Sequence, residues 1–220
     1  MSIGFDLRVS IKRFVKKISK GEFLFFPCSE TKRFVLKKQL DVLSNYFSIK
    51  TKPELLEVGH ALLEAGFTTD FKKLKAKNLG FIDGKVLTNC ARCLHVLRKY
   101  YKVEAYHYVD VLKHLNIEVN LNNACLLADT DDIAQNLHVK TMRFLTSKGV
   151  ELQFLESFGS EGLLLEVYPA IAKSLLLKSL KKCDKQNIVT VNPRLFNALK
   201  AIVKDKNLKF KVKDLCQVLY

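Results

Sequence analysis

The sequence lacks a long apolar stretch. Its apolar runs are short, such as Phe23–Phe26 and Leu175–Leu177, whereas a membrane-spanning helix needs roughly 20 consecutive apolar residues. The N-terminal segment is charged at the place where a secretory signal peptide would carry its apolar core. We therefore expect a cytoplasmic protein, peripheral to the membrane at most.

Cysteine is too sparse for a secreted disulfide scaffold. The chain has six cysteines among 220 residues, and no export signal accompanies them. In a reducing compartment, free thiols and metal ligands are more common than disulfides. We therefore interpret the cysteines as thiols or ligands. They are Cys28, Cys90, Cys93, Cys125, Cys183 and Cys216.

Familiar catalytic motifs and acidic residues are also in short supply. No nucleotide-binding loop, Ser/His/Asp order or HExxH motif occurs, so the sequence favours a protein that is not catalytic on its own. Its 37 basic and 22 acidic side chains leave a net charge of +15. A basic surface suits nucleic acid, an anionic membrane or an acidic protein. Because the lysines are scattered and rarely interleaved with aromatics, nucleic acid is the least favoured of these partners.

The N-terminal segment predicts a basic amphipathic helix over residues 5–20. Apolar side chains recur there at helical spacing, and the charged side chains around them are basic. Such a helix would pack on the protein with a solvated face, or would bind an anionic membrane surface or another protein chain.

From residue 22 onward, strand-like and helix-like segments alternate, which is typical of parallel βαβ units. The segment Leu87–Leu94 matches Val189–Phe196 at an offset of 102 residues, and Cys28 after a strand matches Cys125 after a strand at an offset of 97 residues. These correspondences indicate an internal repeat. We predict an α/β fold of two similar pseudo-repeated halves, each a small parallel sheet flanked by helices. The predicted domains are the N-terminal helix (1–21), a first half (22–116) and a second half (117–220).

This repeated pattern resembles the cysteine-rich CCG domain, which occurs twice in the iron–sulfur subunits of heterodisulfide reductase, lactate-utilisation and glycolate-oxidase complexes. The resemblance implies a duplicated α/β fold, cluster-binding cysteines and an oxidoreductase partner. It rests on five segments: Phe26–Cys28, Leu87–Cys93, Ala105–Leu112, Ala124–Leu127 and Ile188–Arg194.

The chain departs from the CCG pattern at most of the cluster positions. Glu57–Gly59 and Ser160–Gly162 stand where Cys-Cys-Gly is expected, and Asn192–Leu195 stands in place of the second Cys-x-x-Cys. Because an iron–sulfur cluster needs several thiolates, we expect no intact cluster. The resemblance then implies an accessory or electron-transfer-related subunit that docks on a cytoplasmic oxidoreductase.

The cysteines that remain in the first half define a candidate metal site. Cys28 and Cys90 each follow a strand, and loops after parallel strands gather at the carboxyl edge of a sheet. With Cys93 they would need one more ligand for tetrahedral zinc, and Glu57 or His60 would supply it. The alternatives are a redox dithiol or cysteines left over from a lost site. A basic module for nucleic acid or membranes is a further alternative.

Other polar residues have simpler interpretations. Asp129–Asp132 predicts a cap for the helix that follows, since acidic residues are favoured at helix N-termini. His107 is expected to pack or to cap. Cys125 is expected to be a small buried side chain.

Overall fold

The computed structural model describes residues 22–52, 57–161 and 164–220. These residues form two four-stranded sheets, both parallel throughout and flanked by helices. The predicted α/β fold with two pseudo-repeated halves is therefore confirmed. The predicted N-terminal helix lies outside the described residues, and the predicted domain boundaries stay a prediction. Within the described ranges, no helix has the length and apolar character needed to cross a membrane.

The first half builds its sheet in the order β2-β1-β3-β4 from short strands joined by helices. Its two central strands, Glu22–Phe26 and Lys85–Thr88, are short and mostly buried on both faces, as parallel strands usually are, whereas the edge strand Ser48–Thr51 is largely exposed. A π-helical turn, Leu97–Tyr101, extends its fourth helix. The elements are β1 (Glu22–Phe26), α1 (Arg33–Ser44), β2 (Ser48–Thr51), α2 (His60–Glu64), α3 (Thr68–Leu79), β3 (Lys85–Thr88), α4 (Ala91–Val96), β4 (Ala105–His107) and α5 (Tyr108–Leu112).

The second half repeats this order as β6-β5-β7-β8 and ends in a 3₁₀ turn at Leu215–Val218. The helical segment after β5 is divided into two helices, because Asn136 adopts a left-handed conformation (φ +55°) between them. The elements are β5 (Asn123–Ala128), α6 (Thr130–Ala134), α7 (Leu137–Ser147), β6 (Glu151–Glu156), α8 (Leu164–Val167), α9 (Pro169–Lys181), β7 (Asn187–Thr190), α10 (Pro193–Asp205) and β8 (Lys211–Asp214).

Strand register defines which residues of the two halves are equivalent. Leu24 lies opposite Val86 in the first sheet, and Cys125 lies opposite Ile188, the counterpart of Val86, in the second. Cys125 is thus equivalent to Leu24, and the counterpart of Cys28 is Asp129. The sequence alignment of Cys28 with Cys125 is wrong, because Cys125 lies inside β5 and is fully buried there.

The two halves share one hydrophobic core. The largest cluster joins Phe23 and Leu43 of the first half to Leu126 and Leu215 of the second. Helix α1 packs against the 3₁₀ turn of the second half, and α7 packs against α5 of the first. This reciprocal packing brings the loops at the carboxyl edges of both sheets into contact, and those loops carry the candidate site.

Candidate metal site at the carboxyl edge of the first sheet

Cys28, Cys90 and Cys93 meet where β1 and β3 end. Cys28 follows β1 by two residues, Cys90 precedes α4, and Cys93 lies in its first turn. Because β1 and β3 are neighbours in the sheet, both loops leave the same edge. All three side chains are at least 97% buried.

Asn89 fixes the loop that carries Cys28. Its Oδ1 accepts a hydrogen bond from the backbone N–H of Cys28 at 2.8 Å. Its Nδ2 donates to Thr31 Oγ1 at 2.9 Å and to Gln39 Oε1 at 2.7 Å. Gln39 Nε2 in turn contacts Asp214 Oδ1 of the second half at 3.4 Å. The thiol loop is therefore held from both halves of the protein.

The three thiols hydrogen-bond to one another. Donation from Cys90 and Cys93 to the sulfur of Cys28 stabilises its thiolate and lowers the pKa of Cys28 well below its ordinary value. The same hydrogen bonds, with burial, raise the pKa of Cys93 and bring that of Cys90 to about 12. Of the three thiols, Cys28 is therefore the one whose thiolate form is most favoured.

His60 is the fourth member of the group. A ring nitrogen of His60 and the sulfurs of Cys28 and Cys93 all lie within 4.8 Å of one another. Gly59, with φ +83°, turns the chain into α2 so that His60 stands at its first position. His60 is 6% exposed, and neither ring nitrogen has a hydrogen-bond partner among the described residues. A buried imidazole without a partner is costly and calls for an explanation.

Glu57 lies outside this group and holds its loops together. Its carboxylate accepts from Ser29 Oγ at 2.8 Å and from the backbone N–H of Gly59 at 2.9 Å. Its carbonyl accepts from Asn78 Nδ2 at 2.8 Å. Of the two candidates for a fourth ligand, the structure therefore places His60 beside the thiols and uses Glu57 to join the Cys28 and His60 loops.

The equivalent edge of the second sheet carries carboxylate and amide groups. Asp129 Oδ2 accepts from Ser160 Oγ and from Asn192 Nδ2, both at 2.8 Å, and burial raises the pKa of Asp129. Asn192 Oδ1 also caps α10 by accepting from Arg194 N at 3.0 Å. Asp129 and Asp132 form a capping box at the start of α6, so the predicted capping role is confirmed.

Two arginines at equivalent positions join the edges. Arg92 lies 3.4 Å from Glu64 of its own half and 3.3 Å from Asp131 of the other. Arg194 pairs with Glu166 of its own half and lies 3.8 Å from Glu30 of the other. Both arginines are almost fully buried. The aligned sequences contain this signal, since each Arg follows its Glu by 28 residues, but sequence reasoning missed it.

A cleft of about 260 Å³ opens beside the thiol group. His60, Glu64, Arg92 and Asp131 line it, together with His95 and Tyr100 of the α4 region. Burial raises the pKa of Asp131 to about 6, even though Arg92 opposes the shift. His60 is therefore the member of the candidate ligand group that lines this cleft.

The remaining predicted residues have structural roles. His107 caps α5 by accepting from Val109 N at 3.3 Å, as the capping interpretation predicts. Cys125 is buried within β5.

Comparisons with known proteins identify no family for the chain. No protein-family model matches it, and no curated protein matches it. Its fold is similar to several solved structures. Glutamate racemase from Francisella tularensis in complex with D-glutamate aligns with 12% identity over 90% of this chain and 77% of that chain, with a TM-score of 0.44. Glutamate racemase RacE1 from Bacillus anthracis aligns with 13% identity over 91% and 78%, with a TM-score of 0.42.

Allantoin racemase from Klebsiella pneumoniae aligns with 9% identity over 89% of this chain and 84% of that chain, with a TM-score of 0.36. Likeness at these levels does not bear on activity, and no racemase chemistry is inferred from it.

The resemblance to the CCG domain is wrong. No family model supports the CCG assignment, and the solved structures named above are racemases. The register gives a physical reason, because Asp129 and Asn192 occupy the positions of Cys28 and Cys90. The predicted role as an accessory or electron-transfer subunit of an oxidoreductase is therefore wrong as well. The comparisons support neither of the two alternatives. These are a zinc-binding or thiol-redox component, and a module that binds nucleic acid or a membrane surface.

Proposed function

We propose that the first half binds one zinc ion through the thiolates of Cys28, Cys90 and Cys93 and the imidazole of His60. The observation that carries this proposal is the convergence of the Cys28 and Cys93 sulfurs, with the buried Cys90 thiol at the same sheet edge, on a buried imidazole whose nitrogens have no partner among the described residues. A metal ion accounts for both features at once, since it replaces the shared thiol protons and takes the free imidazole nitrogen as a ligand.

The donor set favours zinc among the common metal ions. Three sulfurs and one nitrogen form the Cys₃His set of closed, tetrahedral structural zinc sites. Soft thiolates discriminate against magnesium and calcium, which prefer oxygen ligands. Three thiolates and one Zn²⁺ leave a net charge of −1. The guanidinium of Arg92, which favours the thiolate form of Cys90, offsets that charge.

The proposed role is structural. The ligands come from the loops after β1 and β3 and from the start of α2, so one ion ties together three segments of the first half. With four protein ligands the ion has no open position for a substrate. Glu57 and Asn89 act as positioning residues, because they hold the loops that carry His60 and Cys28.

Metal analysis of the purified chain tests this proposal. After refolding with zinc and removal of excess ion, we expect one zinc per chain in the wild type and much less in Cys93→Ser. The matched control is Cys216→Ser, which removes a buried thiol that contacts Val35 O and is not part of the group, and which should keep the full zinc content. Cobalt substitution should give the intense visible absorption of a tetrahedral thiolate site in the wild type and in the control.

Two results would overturn the zinc site. One is a wild-type chain that takes up no zinc during refolding, and the other is equal zinc content in the wild type and Cys93→Ser. Stoichiometric iron with acid-labile sulfide would replace zinc by a cluster and would contradict the closed four-ligand site.

A further inference from the structure

The second half contains a separate pair of cysteines. Cys125 lies in β5 opposite Gln153 of β6, and side chains opposite each other on neighbouring strands point to the same face. The Gln153 amide binds the backbone on both sides of Cys183. Its Nε2 donates to Lys182 O at 3.0 Å, and its Oε1 accepts from Asp184 N at 3.0 Å. Gln153 therefore holds Cys183 over the face to which Cys125 points.

The two thiols are in contact but differ in access. The two side chains pack in the same hydrophobic cluster, and a hydrogen bond from the Cys125 thiol to Cys183 raises the pKa of Cys125. Cys125 is fully buried, whereas Cys183 is half-buried at the end of α9. The first-half thiols form their own group, and Cys216 donates to Val35 O at 3.6 Å. The Cys125–Cys183 pair is thus distinct from both.

We propose that Cys125 and Cys183 form a reversible intramolecular disulfide when the protein meets a peroxide, with Cys183 as the attacking thiol and Cys125 as the resolving thiol. The roles follow from access, since only Cys183 reaches solvent. No partner chain or metal ion is required, and the pair is independent of the proposed zinc site.

The reaction consumes one hydrogen peroxide and yields two waters. The Cys183 thiolate attacks one peroxide oxygen, so an S–O bond forms and the O–O bond breaks, and the leaving hydroxide takes up a proton to become water. Cys125 then attacks the sulfenic sulfur of Cys183. The S–S bond forms, the S–O bond breaks, and the second water leaves with the Cys125 proton. Each sulfur gives up one electron, and a thiol reductant reverses the change.

Peptide mapping of the full chain tests this inference. The protein is treated with hydrogen peroxide, its free thiols are alkylated, and trypsin is added without reductant. Trypsin cuts after Lys182 and Lys185, so Cys183 should appear as Cys183–Lys185 linked to the peptide 114–140 that contains Cys125. The link should disappear after reduction.

Two variants define the roles. Cys183→Ser should give no link and leave Cys125 unmodified, because the buried thiol does not meet the oxidant. Cys125→Ala should leave a sulfenic acid on Cys183 that dimedone captures. Cys216→Ser should form the link as the wild type does. Recovery of Cys183 as a free thiol, or joined to a second chain, would overturn the proposal, as would labelling of Cys125 in Cys183→Ser.

Discussion

The two halves use one scaffold to present different chemistry at equivalent places. At the carboxyl edge of the first sheet, Cys28 and Cys90 meet Cys93 and His60, whose ring nitrogens have no hydrogen-bond partner in the part of the chain that the structure describes. At the same edge of the second, Asp129 and Asn192 satisfy each other by hydrogen bonding. At the second edge the Asp129 and Asn192 side chains are paired with each other. At the first edge the thiols and the imidazole would be paired by a metal ion. A duplicated fold thus preserves backbone and packing while the loop ends diverge.

Metal removal should give the largest effect on this comparison. If zinc ties the loops of the first half together, chelation should cost several kcal/mol of stability. Hydrogen exchange should then report faster exchange in β1 and β3 than in the metal-bound protein, with β5 and β7 changed much less. Equal loss of protection in both halves would contradict a site confined to the first.

Replacing the two buried arginines compares the ion pairs of the halves. Arg92→Met leaves acidic side chains unpaired at a buried junction and should cost about 3–5 kcal/mol in urea denaturation. Arg194→Met should cost less, because its partner Glu166 is 55% exposed and can be solvated by water. Lys173→Met is the control, since Lys173 and Asp205 are both more than half exposed and should contribute under about 1 kcal/mol. The interpretation fails if Arg194→Met is the costlier change.

Alanine substitutions at two glycines with positive φ compare the loops that precede α2 and α8. A Cβ on Gly159 (φ +113°) would lie 2.5 Å from the backbone oxygen of Ala172, whereas one on Gly59 would meet the movable ring of Phe71 at 2.8 Å. Gly159→Ala should therefore cost roughly 3 kcal/mol and Gly59→Ala less. Gly66→Ala has the same backbone conformation with no neighbour and should cost about 1–2 kcal/mol. Equal costs at the three positions would show that the steric contacts contribute nothing.

His107 and Asp214 are equivalent by register and should respond to acid in opposite directions. Burial lowers the pKa of His107 to about 4 and raises that of Asp214. Between pH 6.5 and 4 the unfolded chain binds a proton at His107 that the folded chain does not bind. The free energy of unfolding therefore decreases as the pH is lowered, by about 2 kcal/mol between pH 7 and pH 5. Protonation of Asp214 favours the folded state and opposes this loss.

The test is His107→Asn, which keeps an oxygen to cap α5. Free energies of unfolding at pH 7 and pH 5 should show a smaller loss in the variant than in the wild type. Acid would also displace zinc from the proposed site, but it would do so in both proteins, and the difference between them isolates His107. An unchanged loss would show that His107 does not contribute to acid sensitivity.

The sequence predicted the elements better than their equivalences. Alternating apolar runs and helical periodicity located β1, β3, β7 and most helices, because buried parallel strands and amphipathic helices leave strong local signals. Pairing of Cys28 with Cys125 failed, since a cysteine inside a strand and one after a strand look alike until register is known. The approach of Cys28 and Cys90 was predicted from strand ends, whereas the sequence left both Glu57 and His60 as candidates for the fourth ligand. The roles of Glu57, Asn89 and the two arginines depend on long-range contacts that no local pattern encodes.

The hydrogen-bonded series through Asn89 and Gln39 also has a direction. Because Asn89 Oδ1 accepts from the backbone N–H of Cys28, its amide nitrogen must face Gln39 Oε1, and Gln39 must then present its nitrogen to Asp214. Each amide orientation is dictated by the one before it, because every donor in the series must face an acceptor. The substitution Gln39→Glu keeps nearly the same shape but replaces the amide donor by an oxygen. Two acceptors, this oxygen and Asp214 Oδ1, would then face each other. A substitution in the thiol loop of one half is therefore tolerated only together with a compensating substitution in the final turn of the other half.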